Sequence, residues 1–240
     1  RAIVNAIVGS AVGAVVRTSA AAVTTALTFA LGFSAPALAA PPAVPATRAA
    51  ALQMLAATDA EGRIAAVRRL AEVGTMADVE RLVRTLRDVS EPVRDAAAAA
   101  LWAVWSRSGD AAIDRKLAEG TRLMSEGELG PALLLFDEIV QVRPAFAEGW
   151  NKRATALFLL GRNAESLRDC DEVLERNPHH FGALSGMAQI HIRRGEVEQA
   201  LKAYERALEV NPNLSNGPAV LRMLQDAVRE RRGTAGGRTT

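Results

Sequence analysis

Three histidines and one cysteine are all that the 240 residues offer for metal or nucleophilic chemistry, and their spacing argues against both. His179 and His180 follow Pro178 directly, and His191 stands alone further along. With no cysteine pair and no H-E-x-x-H spacing to set two imidazoles on one helix face, no zinc site is expected. Cys170 lies inside Asp169-Cys170-Asp171-Glu172. On a helix these neighbours point in different directions, so no facing carboxylate pair forms, and the phase of the thiol puts it inside a helix pair as a small apolar group. A single cysteine also precludes an intrachain disulfide. Glycine-rich phosphate loops and nucleophile elbows are absent from the sequence. The expectation is therefore a non-catalytic protein with no cofactor and no metal.

The elements that carry these residues are set by a period. Pro144, Pro178 and Pro212 stand 34 residues apart, and Gly127, Gly161 and Gly195 keep the same interval ahead of them. The most regular copy, Phe181–Leu214, reads as two amphipathic helices broken at Gly195 and closed at Pro212. A 34-residue recurrence of this kind marks a stacked array of helical hairpins. Gly120, Ala154 and Ala188 put small residues in the first helix of each copy, facing Ala132, Ser166 and Ala200 in the second. Small side chains there let paired helices approach to about 8–10 Å between axes.

These three copies resemble the tetratricopeptide repeat, over about 113–146, 147–180 and 181–214, with a capping helix at 215–231 and a disordered tail at 232–240. Leu123, Leu157 and His191 occupy the large positions of the first helices, and Phe136, Cys170 and Tyr204 those of the second. The fold class implied is all-α, an α-solenoid. Lys116 and Glu119 stand where the first repeat would carry aromatic or aliphatic residues, which suits a junction with the preceding segment. In the middle repeat Trp150 takes the family's aromatic place, but Arg153 replaces an aliphatic residue. A guanidinium half-buried there needs partners, and Asp169, forming a structural ion pair, and Ser166 on the opposing helix are the candidates. On that reading, Arg153→Leu is expected to be tolerated or stabilising.

The resemblance also implies a groove lined by the first helices and suited to an extended peptide. Its phase gives Thr121 and Met124, then Asn151, Thr155 and Phe158, then Ser185, Gln189 and Arg193. Asn151 and Gln189 can pair with a peptide backbone, Arg193 with a carboxylate, and Phe158 and Met124 offer apolar contact. The two-lysine, two-asparagine carboxylate clamp of chaperone-binding members is not reproduced, since no lysine stands in the groove of the first repeat. The alternative reading is an enzyme-associated subunit with a site near Arg153 and Cys170.

Ahead of the array, residues 49–109 read as short helices capped by Thr58-Asp59-Ala60-Glu61, Thr75-Met76-Ala77-Asp78 and Ser90-Glu91-Pro92. Arg63 and Leu70 recur as Arg94 and Leu101 after 31 residues. The run VERLVRTLRDVSEPVRDAAAAAL resembles a HEAT-type repeat, with Asp88 and Arg94 at that family's turn aspartate and helix arginine. This segment is expected to pack end to end with the array, Trp102 and Trp105 sealing the seam from one helix face.

Residues 1–40 hold two apolar runs around Arg17 and end in Ala37-Leu38-Ala39, which reads as a secretory signal cleaved after Ala39 or Ala40, followed by a proline-rich linker at 41–48. Export to a bacterial periplasm follows, or a membrane-tethered assembly factor if the segment is retained. Arg1 and Arg17 account for the whole formal charge of +2, leaving 27 basic against 27 acidic groups. Such a balance lacks the one-signed face that nucleic acid requires. The partner expected is a protein or peptide, with no nucleic acid and no membrane after cleavage.

Overall fold

The computed structural model describes residues 44–236. The expected signal segment, the start of the linker and residues 237–240 lie outside the described residues. Among the described residues every regular element is helical.

The first four helices form an N-terminal bundle: α1 Arg48–Met54, α2 Ala60–Val73, α3 Val79–Thr85 and α4 Glu91–Trp105. Asp59 caps α2, accepting from the Gly62 N–H at 2.6 Å. Asp78 ends a single 3₁₀ turn, Met76–Asp78, and accepts from the Thr75 N–H and from two nitrogens of Arg48. Leu70, Leu82, Leu86, Ala97, Leu101 and Val104 meet in the bundle core. The 31-residue recurrence reappears as bonding. Arg63 donates to the carbonyls of Ala57 and Thr58, each at 3.0 Å. Arg94 donates to those of Asp88 and Val89, at 3.0 and 3.3 Å, with the same offsets along the chain. Arg63 also holds Asp88 bidentately, at 2.7 and 2.9 Å.

Three helical hairpins follow: α5 Ala111–Ser125 with α6 Leu129–Val142, α7 Ala147–Leu159 with α8 Asn163–Arg176, and α9 Phe181–Arg193 with α10 Val197–Val210. Each reversal is made at a glycine of positive φ, Gly127, Gly161 or Gly195, a conformation that costs a side-chain-bearing residue energy. At the other end, the N–H groups of Arg143, Asn177 and Asn211 close the second helices on the carbonyls of Ile139, Val173 and Ala207, all at 2.8 Å. The small-residue pairs are buried as their spacing requires. A Cβ on Gly120 would lie 2.6 Å from the Phe136 ring, so this crossing admits no side chain.

The last helix, α11 Gly217–Gly236, covers the open end of the third hairpin with Val220, Leu224 and Val228. It runs beyond the expected end at Arg231, so residues 232–236 continue the helix rather than belonging to a disordered tail.

The bundle does not continue the array end to end. It folds back, and the α4 tryptophans pack on the start of α9 instead of sealing against the first hairpin. Trp105 stacks on the His180 ring at 4.4 Å between centroids, and Trp102 meets Phe181 edge-on at 5.5 Å. Phe181, Val210 and Leu214 of the third hairpin join the bundle core. The cause is chemical: α4 ends in two large aromatic faces, whereas the free side of α5 presents Arg115, Ala118, Glu119 and Arg122 to solvent.

Candidate binding groove

The stripe along the first helices of the hairpins divides into three kinds of position. In the first kind the side chain serves its own helix. Thr121 and Thr155 turn their hydroxyls back to the carbonyls of Leu117 and Asn151, at 2.7 and 2.9 Å. Their methyl groups are left as the contact surface. Met124 is half-buried against the core of the first hairpin.

Arg193 and Phe158 form the second kind, a joint surface across two hairpins. The Arg193 guanidinium lies 3.7 Å from the centroid of the Phe158 ring and donates to the Phe158 carbonyl at 2.9 Å. One of the cation's donors and one face of the ring are thus committed within the protein, so Arg193 is not the unencumbered carboxylate hook that its position suggests. Gln189, half-buried on the same stripe, separates this surface from Ser185.

Asn151 and Ser185 are of the third kind, since both polar groups are enclosed. Asn151 is 8% exposed and donates its amide to Glu148 Oε2 at 3.1 Å. That bond occupies one of its amide hydrogens, and little of the side chain faces solvent. The Ser185 hydroxyl is buried with no hydrogen-bond partner.

Glu148, one turn before Asn151, organises the buried end of the stripe. His180 Nδ1 accepts from the Ala183 N–H at 3.0 Å, so Nε2 carries the proton and donates to Glu148 Oε2 at 2.9 Å. Lys152 places its ammonium 3.4 Å from Oε1. Burial pushes the Glu148 carboxyl up, but Lys152, His180 and Asn151 together outweigh it and hold the group below its ordinary range. An ionised carboxylate, a neutral imidazole and an ammonium are locked here beneath Trp105. Spacing did not single out Glu148. A charged residue in the groove phase, one turn before a candidate contact, was the available signal.

Away from the groove, Arg153 is bonded bidentately to Asp169, at 2.7 and 2.8 Å, and reaches Asp137 of the first hairpin at 2.9 Å. The hydrogen bond to Asp169 is the main reason the guanidinium is held above its usual value, with burial opposing it. Ser166 is not a partner, because its hydroxyl donates to the Ala154 carbonyl at 2.7 Å. The pair fastens α7 to α8, and Asp137, which the spacing did not suggest, ties it to the preceding hairpin. Trp150 lies between Arg153 and Arg176, at 4.7 and 5.0 Å from the two guanidinium carbons. Cys170 is buried, its thiol pushed up to about 12 by burial and by the carboxylates of Asp169 and Asp171. No cluster of histidine, cysteine and acid side chains suited to a metal occurs among the described residues. Nor is any helix among them long and apolar enough to cross a membrane.

Two models of the tetratricopeptide repeat match residues 117–181 and 157–226. A TPR repeat-containing protein of Rhizobium etli is 34% identical over 157 residues, which span 65% of this chain and 77% of that one. The chain belongs to the tetratricopeptide-repeat family. Within the family it also resembles the Hsp70-Hsp90 organizing protein of Triticum aestivum, at 26% identity over 100 residues, 42% of this chain and 17% of that protein. The chain thus spans about a sixth of that longer relative. Among solved structures, the first tetratricopeptide domain of Spaghetti (RPAP3) bound to an HSP90 peptide gives a TM-score of 0.47 at 24% identity, over 49% of this chain and 93% of that one. In this tetratricopeptide array the stripe is built on Glu148, an acid, at its buried end and on the Arg193–Phe158 stack at its open end.

Proposed function

We propose that the chain is a non-catalytic scaffold that holds an extended segment of a partner protein along the open part of its concave stripe. The observation that carries this reading is the surface formed jointly by Phe158 and Arg193, flanked by Gln189, Thr155 and Met124. It offers an apolar face, one partly engaged cation and an amide with no buried charge left to satisfy, a composition that suits an extended chain of mixed polarity. Family membership and the name of the wheat relative, an organizing protein, support an interaction role. The buried Glu148 carboxylate disfavours an acidic terminus at the closed end, because two like charges would meet in a desolvated site.

The setting we propose is the bacterial periplasm, on the strength of the apolar N-terminal run and its Ala37-Leu38-Ala39 exit. Fractionation followed by sequencing of the mature N-terminus checks this, with Ala40 or Pro41 expected first. A retained residue 1–39 segment on membranes replaces it with the tethered alternative. The binding role is tested by affinity capture from the periplasm with wild type and with Gln189→Ala/Arg193→Ala. Loss of the captured partner at an unchanged melting temperature is expected, and equal capture by both overturns the groove assignment.

A further inference from the structure

The middle repeat departs from its neighbours at three arginines, and the fold brings all three to one place. Arg153 stands where the first and third repeats carry Glu119 and Met187, Arg162 where they carry Glu128 and Glu196, and Arg168 where they carry Leu134 and Lys202. Away from the groove, these arginines line a single hollow of about 140 Å³ between α6, α7 and α8, with Leu133 and Leu157 as its apolar part. Two of them are held in place. Arg153 is fixed by Asp169 and Asp137, and Arg162 grips Glu165 through Nε and Nη2 at 2.7 and 2.6 Å. Neither spends all of its N–H donors on these bonds. Arg168 is exposed and has no hydrogen bond or ion pair among the described residues. The three cations feel the same surroundings. The bond from Arg162 is the main reason the Glu165 carboxyl is held below its ordinary range, and the charges of Arg168 and Arg153 add to it. Like charges gathered this closely repel one another unless anions meet them. Asp137, Asp169 and Glu165 each already have an arginine, which leaves one guanidinium uncompensated.

We propose that this hollow is a second binding site, separate from the groove, that takes one carboxylate: a glutamate or aspartate side chain of a protein partner, held by Arg168 and by the spare donors of Arg162 and Arg153. Charge decides for a carboxylate. A single uncompensated guanidinium matches a monoanion, whereas a phosphate dianion would stand against Asp137 and Glu165, and the planar fork of a guanidinium fits the two oxygens of a carboxylate. Size decides for a side chain, since about 140 Å³ is well below the roughly 300–1,000 Å³ of a pocket for a cofactor or drug-sized molecule. The neighbouring surface is apolar. Leu134, next in the chain to Leu133, is 66% exposed, and Leu160, two residues before Arg162, is 41% exposed. Exposed leucines beside a charged hollow suit an acid flanked by apolar side chains.

The test titrates the isotopically labelled full chain with acetyl-Leu-Glu-Leu-amide and reads the arginine Nε–H resonances. Those of Arg153, Arg162 and Arg168 are expected to move together and saturate. Arg168→Ala is expected to raise the dissociation constant about tenfold or more. Its melting temperature should equal that of wild type, because Arg168 has no bond to lose. The glutamine counterpart, acetyl-Leu-Gln-Leu-amide, should leave the three resonances in place. Equal affinity of Arg168→Ala and wild type, or no movement of the three resonances, overturns the proposal. Inorganic phosphate binding more tightly than the peptide overturns the choice of a carboxylate. Gln189→Ala/Arg193→Ala is expected to bind the tripeptide as wild type does, so a failure of the groove reading, registered by partner capture with that variant, is distinct from a failure of this one.

Discussion

Arg94 and Asn213 are 119 positions apart and share a hydrogen bond of 2.9 Å, with the same asparagine donating to the Leu86 carbonyl at 2.6 Å. One side chain thus joins the turn after α10 to both α3 and α4. Asn213→Ala removes an acceptor and a donor together, and because Asn213 is itself exposed the expected cost is about 0.5–1.5 kcal/mol. Asn213→Asp should not restore the loss, because it keeps the acceptor for Arg94 but turns a lone pair toward Leu86 O. Thermal melts of the three proteins check the order.

The Arg153–Asp169 pair behaves differently from what its position alone suggests. Asp169 is 4% exposed, so Arg153→Leu does not remove a pair but strands a buried carboxylate. The single substitution is expected to destabilise by about 3 kcal/mol, and Arg153→Leu/Asp169→Leu to recover most of that. This reverses the tolerance expected from the sequence, where the depth of Asp169 was not visible. A double-mutant cycle on denaturant midpoints measures it, and a single variant as stable as wild type would contradict the geometry.

Periodicity made the array legible. Gly120 opposite Ala132, the turn at Gly161 and the closure at Pro178 each follow from local chemistry repeated at a fixed interval, so the hairpins could be phased residue by residue. The groove stripe was legible as a face but not as a surface. Nothing in the spacing of Asn151 or Ser185 reveals that the chain itself covers them. Where the bundle docks is not legible either, because the contact between Trp102 and Gly182 is set by shape and not by period. Arg94 carried a hint, since its repeat partner Arg63 has an acidic acceptor within the bundle and Arg94 has none.

Glu148 links stability to pH. Its folded value lies below the ordinary one, so the stabilisation is present above the unfolded carboxyl value of about 4.3 and is lost as pH falls through the lower folded value. Glu148→Gln should be less stable than wild type at neutral pH by about 3 kcal/mol, since Lys152 and His180 lose their anion. The gap between the two melting temperatures should narrow as pH drops below about 4. A gap that is constant from neutral to acid pH would mean that the carboxyl is not ionised in the folded chain.

Cys170 should be inert. A buried thiol pushed up to about 12 holds almost no thiolate near neutrality, and iodoacetamide is expected to label it only in denaturant. Mass spectrometry of native and unfolded protein at pH 8 decides the matter, with rapid native labelling as the contrary result.

Gly182 and Gly130 form a matched comparison, because each is the second residue of its helix, α9 and α6. Neither needs a positive φ. In the absence of other contacts, alanine at such a site stabilises a helix by about 1 kcal/mol, through lower chain entropy in the unfolded state. Around Gly130 an added Cβ meets nothing within 4 Å, so Gly130→Ala should show that gain. At Gly182 the same methyl meets the Trp102 ring at 2.4 Å, and a rigid indole packed against Trp105, His180 and Phe181 cannot rotate away cheaply. Gly182→Ala is therefore expected to destabilise by about 1–3 kcal/mol. Trp102→Leu, which is costly alone, should make Gly182→Ala nearly neutral, because the space it needs has been vacated. Chemical denaturation of the four variants measures both signs. Equal effects of alanine at the two glycines would place the Trp102 ring elsewhere than on α9.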